Sequence, residues 1–163
     1  MRIFQDKIGR SWTISINVSV MKRVRALCGT DLFNIVEIDD KQNPKADLLE
    51  RLSSDPILLV DVIFAVCKEE ADERNVTDED FGRSMSGDSI DAATDALLDE
   101  IVDFFPTAKR QVLQNLLTAT RRFRAATEKQ LNTLLADGTF QEKIEKALET
   151  SFGSAISTQE SSD

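Results

Sequence analysis

Histidine and tyrosine are missing altogether from this 163-residue chain. Their absence excludes histidine-based triads, Cys–His dyads, imidazole-ligated metals and phenolic acids together. Cysteine is scarce: Cys28 and Cys67 each sit inside an apolar, helix-like run. They are expected to be buried free thiols, and nothing in the sequence supports a disulfide between them. Long hydrophobic runs are missing too. The run Ile57-Leu58-Leu59-Val60 stops at Asp61, and no segment is expected to span a bilayer. The start, Met1-Arg2-Ile3-Phe4-Gln5-Asp6, has no apolar stretch of the kind a signal peptide needs.

Positive charge is in deficit. Twenty basic residues face 29 acidic ones, a net charge of −9. Phosphate contacts need local positive charge, so no general nucleic-acid binding is expected. The basic run Lys109, Arg110, Arg121, Arg122, Arg124 lacks interleaved aromatics except Phe123, which is expected to point into the core. A phosphate loop is also missing, because Gly82-Arg83-Ser84-Met85-Ser86-Gly87 has no lysine and follows no strand. The acidic stretch around Asp78-Glu79-Asp80 fails as a calcium loop: counted from Asp78, the sixth position is Arg83 and the twelfth is Ser89, where a bidentate Glu is required. No catalytic residue, metal ligand, cofactor or small-molecule substrate is therefore expected, and the chain reads as a non-enzyme.

What is present is mainly α-helical pattern behind one small N-terminal β-hairpin. Ile3-Phe4 opens a strand, Asp6-Lys7-Ile8-Gly9-Arg10 is a turn, and Trp12, Ile14, Ile16 and Val18 alternate with polar residues at period two. A lone hairpin is marginal in water, so its apolar face must be covered by helices of the same chain or by a second copy. A multi-helix bundle follows. Ser19 is expected to cap a helix through Cys28, with Val20, Val24 and Leu27 inward and Gly29 as the stop. Thr30 is expected to cap a short piece holding Leu32 and Phe33, and 37–45 reads as a loop before a short helix at Leu48, Leu49 and Leu52. Asp55-Pro56 starts a helix to about Glu73, Thr77 caps one bearing Phe81, and Asp88 is expected to cap one along Ile90, Ala93, Leu97, Ile101 and Phe104. Past Pro106 a long amphipathic helix runs to Asp137-Gly138, and a last helix holds Phe140, Ile144 and Leu148. The chain reads as a single helical domain over 1–152, with its hairpin at 1–18 and a C-terminal helical extension at 107–152. Residues 153–163 are expected to be a disordered tail. The expected core includes Trp12, Val24, Leu58, Val62, Phe81, Leu97, Ile101, Phe104, Leu116 and Phe123.

Charge is unevenly spread. Residues 1–36 carry +4, residues 37–103 carry −14, residues 104–149 carry +3 and the tail carries −2. Asp91, Asp95, Asp99 and Asp103, spaced by four, share one helical face, and Asp is a poor helix former. Such a stripe is either a solvated face or a rail for a basic partner. If the chain turns back at Pro106, Asp103 nears Lys109 and Arg110, and Asp91 nears Arg121 and Arg122. Asp95 and Asp99 then face Leu117 and Leu113, flanked by Gln114 and Asn115, with no cation. Asp95 and Asp99 are thus the expected partner contacts.

The hairpin Ile3-Phe4 … Gly9-Arg10-Ser11-Trp12-Thr13-Ile14, the helix Val20–Gly29, the Asp55-Pro56 helix and the stretch Val76-Thr77-Asp78-Glu79-Asp80-Phe81 before an acidic helix together resemble the tail assembly chaperones of long-tailed bacteriophages. The resemblance covers about residues 3–105. It implies a small acidic helical factor of the host cytoplasm that is absent from the finished particle. Such a factor binds the tape measure protein, keeps it soluble and helps recruit tail tube subunits. Many members also exist in a longer frameshifted form. The alternative is a general acidic helical adaptor or regulator that binds a basic helix. The two separate on whether a very long helical protein is encoded next door.

Overall fold

The computed structural model describes residues 1–38, 44–136 and 138–156. It is mainly helical, with seven α-helices among the described residues and a two-stranded antiparallel hairpin at the N-terminus. Strands β1 (Arg2–Gln5) and β2 (Ser11–Ile14) pair Phe4 with Trp12 and Ile3 with Thr13. Alternation sends Phe4, Trp12 and Ile14 inward and leaves Ile3 exposed. Gly9, at φ 84°, closes the turn in a backbone region that L side chains avoid.

Helix α1 (Val18–Cys28) begins two residues earlier than expected. Asn17 is its cap, accepting from the Val20 N–H at 3.0 Å, and Gly29 at φ 63° ends it. Leu27 is exposed on the outer side, while Met21 joins Val20 and Val24 in the core. Asp31, not Thr30, caps the following short 3₁₀ turn, Leu32–Asn34. The stretch expected as a plain loop holds a small ladder, β3 (Glu37–Ile38) against β4 (Pro44–Lys45). The rest of that expected loop, 39–43, lies outside the described residues. Helix α2 (Asp47–Ser54) buries Leu48, Leu49 and Leu52.

Helix α3 (Pro56–Glu73) opens as the sequence predicts: the Asp55 carboxylate accepts from the Ile57 and Leu58 N–H groups, with Pro56 in the first turn. Thr77 caps α4 (Asp78–Ser84) through the Asp80 N–H. Asp88 is not a cap. Gly87 at φ 57° precedes α5 (Asp88–Phe104), and the Ser89 hydroxyl ties the start by accepting from the Ser86 N–H and donating to its carbonyl. Pro106 breaks the chain before α6 (Thr107–Ala136), which α7 (Thr139–Ile156) follows. Helix α7 runs past 152, and 157–163, the remainder of the expected tail, lie outside the described residues.

The chain divides into two units, Met1–Asn115 and Leu116–Asp163. In the first, α1 and α3 pack on each other, β1 lies on α5 and β2 on α3. Trp12, Val24, Val62, Phe81, Leu97 and Ile101 are buried as expected. Leu58 and Phe104 are half-buried, because Leu59 and Phe105 take the inward positions beside them. Trp12 meets the Phe81 ring edge-on at 4.9 Å, and Phe64 leans on Phe81 at 5.4 Å.

The hairpin is fixed by one buried carboxylate. Asp6 accepts from the Ile8 and Arg10 N–H groups, from Arg10 Nε at 2.6 Å and from Trp12 Nε1 at 2.9 Å. Arg10 reaches on to the Ser84 hydroxyl at 2.9 Å, and the Lys7 N–H donates to the Ser84 carbonyl, which joins the turn to α4. Burial alone would raise the Asp6 pKa, but hydrogen bonds from Trp12 and Arg10 outweigh it and hold the carboxyl below its ordinary value.

In the second unit the pattern reverses. Leu116 is half-buried, but every residue from Thr118 to Ala136 and from Gln141 to Thr150 is exposed. Phe123, expected in the core, is 76% exposed. Its helical spacing is correct, but the side of α6 that carries it is exposed among the described residues.

Candidate interaction surface

The acidic face of α5 is assembled on the N-terminal strand. Its inward side, with Ala93, Leu97 and Ile101, is fixed by the core, and this sets the four aspartates outward at every fourth position. Arg2 of β1 reaches over the edge, 3.0 Å from the Asp103 carboxylate and 3.8 Å from that of Asp99. Beside them the nearly buried Glu100 carboxylate accepts from the Met1 amino group at 2.6 Å. The expectation that Asp99 faces a cation-free stretch is therefore corrected: its neighbour is Arg2. The Arg2, Asp99 and Asp103 side chains are partly exposed, so these two pairs contribute little to stability. Asp91 and Asp95 lie exposed on the same face.

The corner after α5 also differs from the expected ion pairs. Arg110 does not take the Asp103 carboxylate; it donates to the carbonyls of Asp103 and Phe105. Lys109 donates to the Phe33 carbonyl at 2.9 Å and lies over the Phe105 ring at 4.2 Å. Phe33, Phe104 and Phe105 form an edge-on aromatic cluster around this corner. Arg110 thus closes free carbonyls at the end of α5, and Lys109 ties the corner to the 3₁₀ turn at Phe33.

The second surface was not singled out from sequence. On α6, Phe123, Leu131, Leu134 and Leu135 are 43–76% exposed, and on α7 Ile144 and Leu148 are 43% and 50% exposed. Their spacing keeps one apolar side on each helix. A core stripe and a docking stripe have the same period, so the pattern alone cannot separate them. The one available signal is local: Phe123 is set between Arg121, Arg122 and Arg124, a setting more typical of a surface.

The two thiols are held in their protonated form. Burial pushes the Cys28 thiol up to about 11, helped by the Asp61 and Asp78 carboxylates, and pushes Cys67 up to about 12. Both are free and protonated at neutral pH. Among the described residues no cluster of three His, Cys, Asp or Glu side chains could hold a metal ion, and no helix is long and apolar enough to cross a membrane.

Comparison of the chain with protein-family models, with curated proteins and with solved structures gave no match.

Proposed function

We propose that this chain is a non-catalytic protein-binding factor, a chaperone that captures a long amphipathic helical partner. The observation that supports this reading is the uncovered apolar side of α6 and α7, where six large side chains from Phe123 to Leu148 face solvent at helical spacing. A folded chain that buries Trp12, Phe81 and Leu97 completely elsewhere leaves such a stripe for something else to cover. An amphipathic helix laid along it matches both period and chemistry. The acidic α5 face, with Asp95 and Asp99 as contacts, contributes long-range attraction for a basic segment of the same partner. The strongly acidic body keeps the complex in solution.

The partner class is the one the family resemblance implies: the tape measure protein of a long-tailed phage, with tail tube subunits recruited to the complex. Such a factor works in the host cytoplasm and is left out of the finished particle. Co-expression tests this. The very long helical protein encoded beside this chain should be soluble with it and insoluble without it. Recovery of that neighbour in the pellet in both cases would sink the phage reading and leave the general adaptor.

A further inference from the structure

The stripe on α6 and α7 also carries information about what covers it when no partner is present. Between Leu116 and Ala136 there are four basic residues and one acidic residue; α7 holds two lysines and three glutamates. The two helices are therefore of opposite net sign, and both present apolar sides. Together, residues 116–156 hold six basic and five acidic residues, a net of +1. Residues 1–115 hold 14 and 22, a net of −8. Like charge opposes association of two copies through their bodies and scarcely opposes it through their C-terminal helices. The hairpin offers less to a second copy, since Phe4, Trp12 and Ile14 are already buried by the chain's own helices.

The area is sufficient. At these exposures the five Leu and Ile residues and the largely exposed Phe123 together retain roughly 600 Å² of mostly apolar surface. Six such side chains on each of two copies bring roughly 1,200 Å² into contact, the lower edge of a specific interface. An interface at that lower edge exchanges readily, which a capture surface needs.

We infer that a second copy of this chain covers the stripe: two copies pair through α6 and α7, the basic helix of one along the acidic helix of the other, and a captured partner displaces the second copy. This rests on the proposed function, because displacement presupposes that the same stripe takes the partner. The self-pairing is nevertheless measured on the pure chain, so the two fail separately.

Sedimentation equilibrium of the full chain from about 1 µM to about 200 µM tests it. The expected result is a concentration-dependent rise from the 18.2 kDa of one chain to twice that mass. Leu131→Glu with Ile144→Glu should hold the mass at one chain throughout, while Ile3→Glu, on the exposed side of the hairpin, should leave the doubling intact. Circular dichroism of the double variant at the lowest concentration should match wild type. A wild-type mass of one chain over the whole range overturns the inference, as does a mass above two chains, a doubling that survives the double variant, or one abolished by Ile3→Glu. A chain that stays single yet captures the long helical partner removes the inference and keeps the proposed function; a chain that doubles and captures nothing overturns the proposed function and the displacement with it, and keeps the self-pairing.

Discussion

Trp12 donates its indole N–H to the Asp6 carboxylate across 2.9 Å, with the carboxylate fully withdrawn from solvent and Arg10 completing its shell. This pair joins the turn to the strand and, through Arg10 and Ser84, to α4. Asp6→Ala leaves the buried indole N–H and the guanidinium without their acceptor, so it should cost about 3 kcal/mol in urea unfolding, and Asp6→Asn should recover part of that. An unchanged midpoint for Asp6→Ala would show that the hairpin does not depend on this carboxylate.

The same group sets an acid limit. Its folded pKa lies below the ordinary 3.8, so its stabilisation is complete above that value and is lost as pH falls through the folded pKa. Asp61 has the opposite sign. Desolvation first, and then the Asp78 and Asp55 carboxylates, raise its pKa above 3.8, so its charged form is disfavoured on folding. Asp61→Asn should raise the urea midpoint slightly at pH 7 and not at pH 3. A gain that persists at pH 3 would show a cause other than charge.

Leu97 and Phe123 separate the two units by their response to truncation. Leu97→Ala should cost about 2–5 kcal/mol, because the side chain is fully buried. At a concentration where the chain is single, Phe123→Ala should change stability by about 0.5 kcal/mol or less, because its ring is then in water. Equal losses would place Phe123 in a core.

Much of the first unit was legible in the sequence because its signals are local. Period-two alternation around Trp12, the stop at Gly29 and the Asp55-Pro56 start each act within a few residues; the stop and the start lie where expected, while the strand ends at Ile14 and Val18, the last residue of the alternation, already opens α1. Asp88 misled because Gly87 adopts φ 57° and the Ser89 hydroxyl ties the start back to the Ser86 backbone, a choice between adjacent residues that spacing does not reveal. The position of Arg2 beside Asp99 and Asp103 was not legible: a topology that lays β1 on α5 joins residues about a hundred positions apart. Phe123 misled for the reason that makes it interesting, since a helix periodic enough to be buried need not be buried by its own chain.

In the proposed function Asp95 and Asp99 attract the basic partner at long range. Asp95→Asn with Asp99→Asn should keep the fold and slow capture of the basic helical partner at low salt, with the difference shrinking as salt screens it. Identical association rates for wild type and variant across a salt series would make the face merely solvated.

The thiols report on opening. With pKa values of about 11 and about 12, Cys28 and Cys67 should react slowly with a disulfide reagent at pH 8, and Cys67 only as fast as the first unit unfolds. Cys28, expected to be buried, is only half-buried, so immediate reaction of Cys67 in the native chain is the result that would contradict burial.

The account turns on the apolar side of α6 and α7, and the most direct measurement is binding of the long helical partner to Phe123→Glu with Leu134→Glu, read as the partner's soluble fraction on co-expression. The account predicts loss of the soluble partner while the first unit keeps the wild-type urea midpoint. A partner that stays as soluble with this variant as with wild type would contradict it.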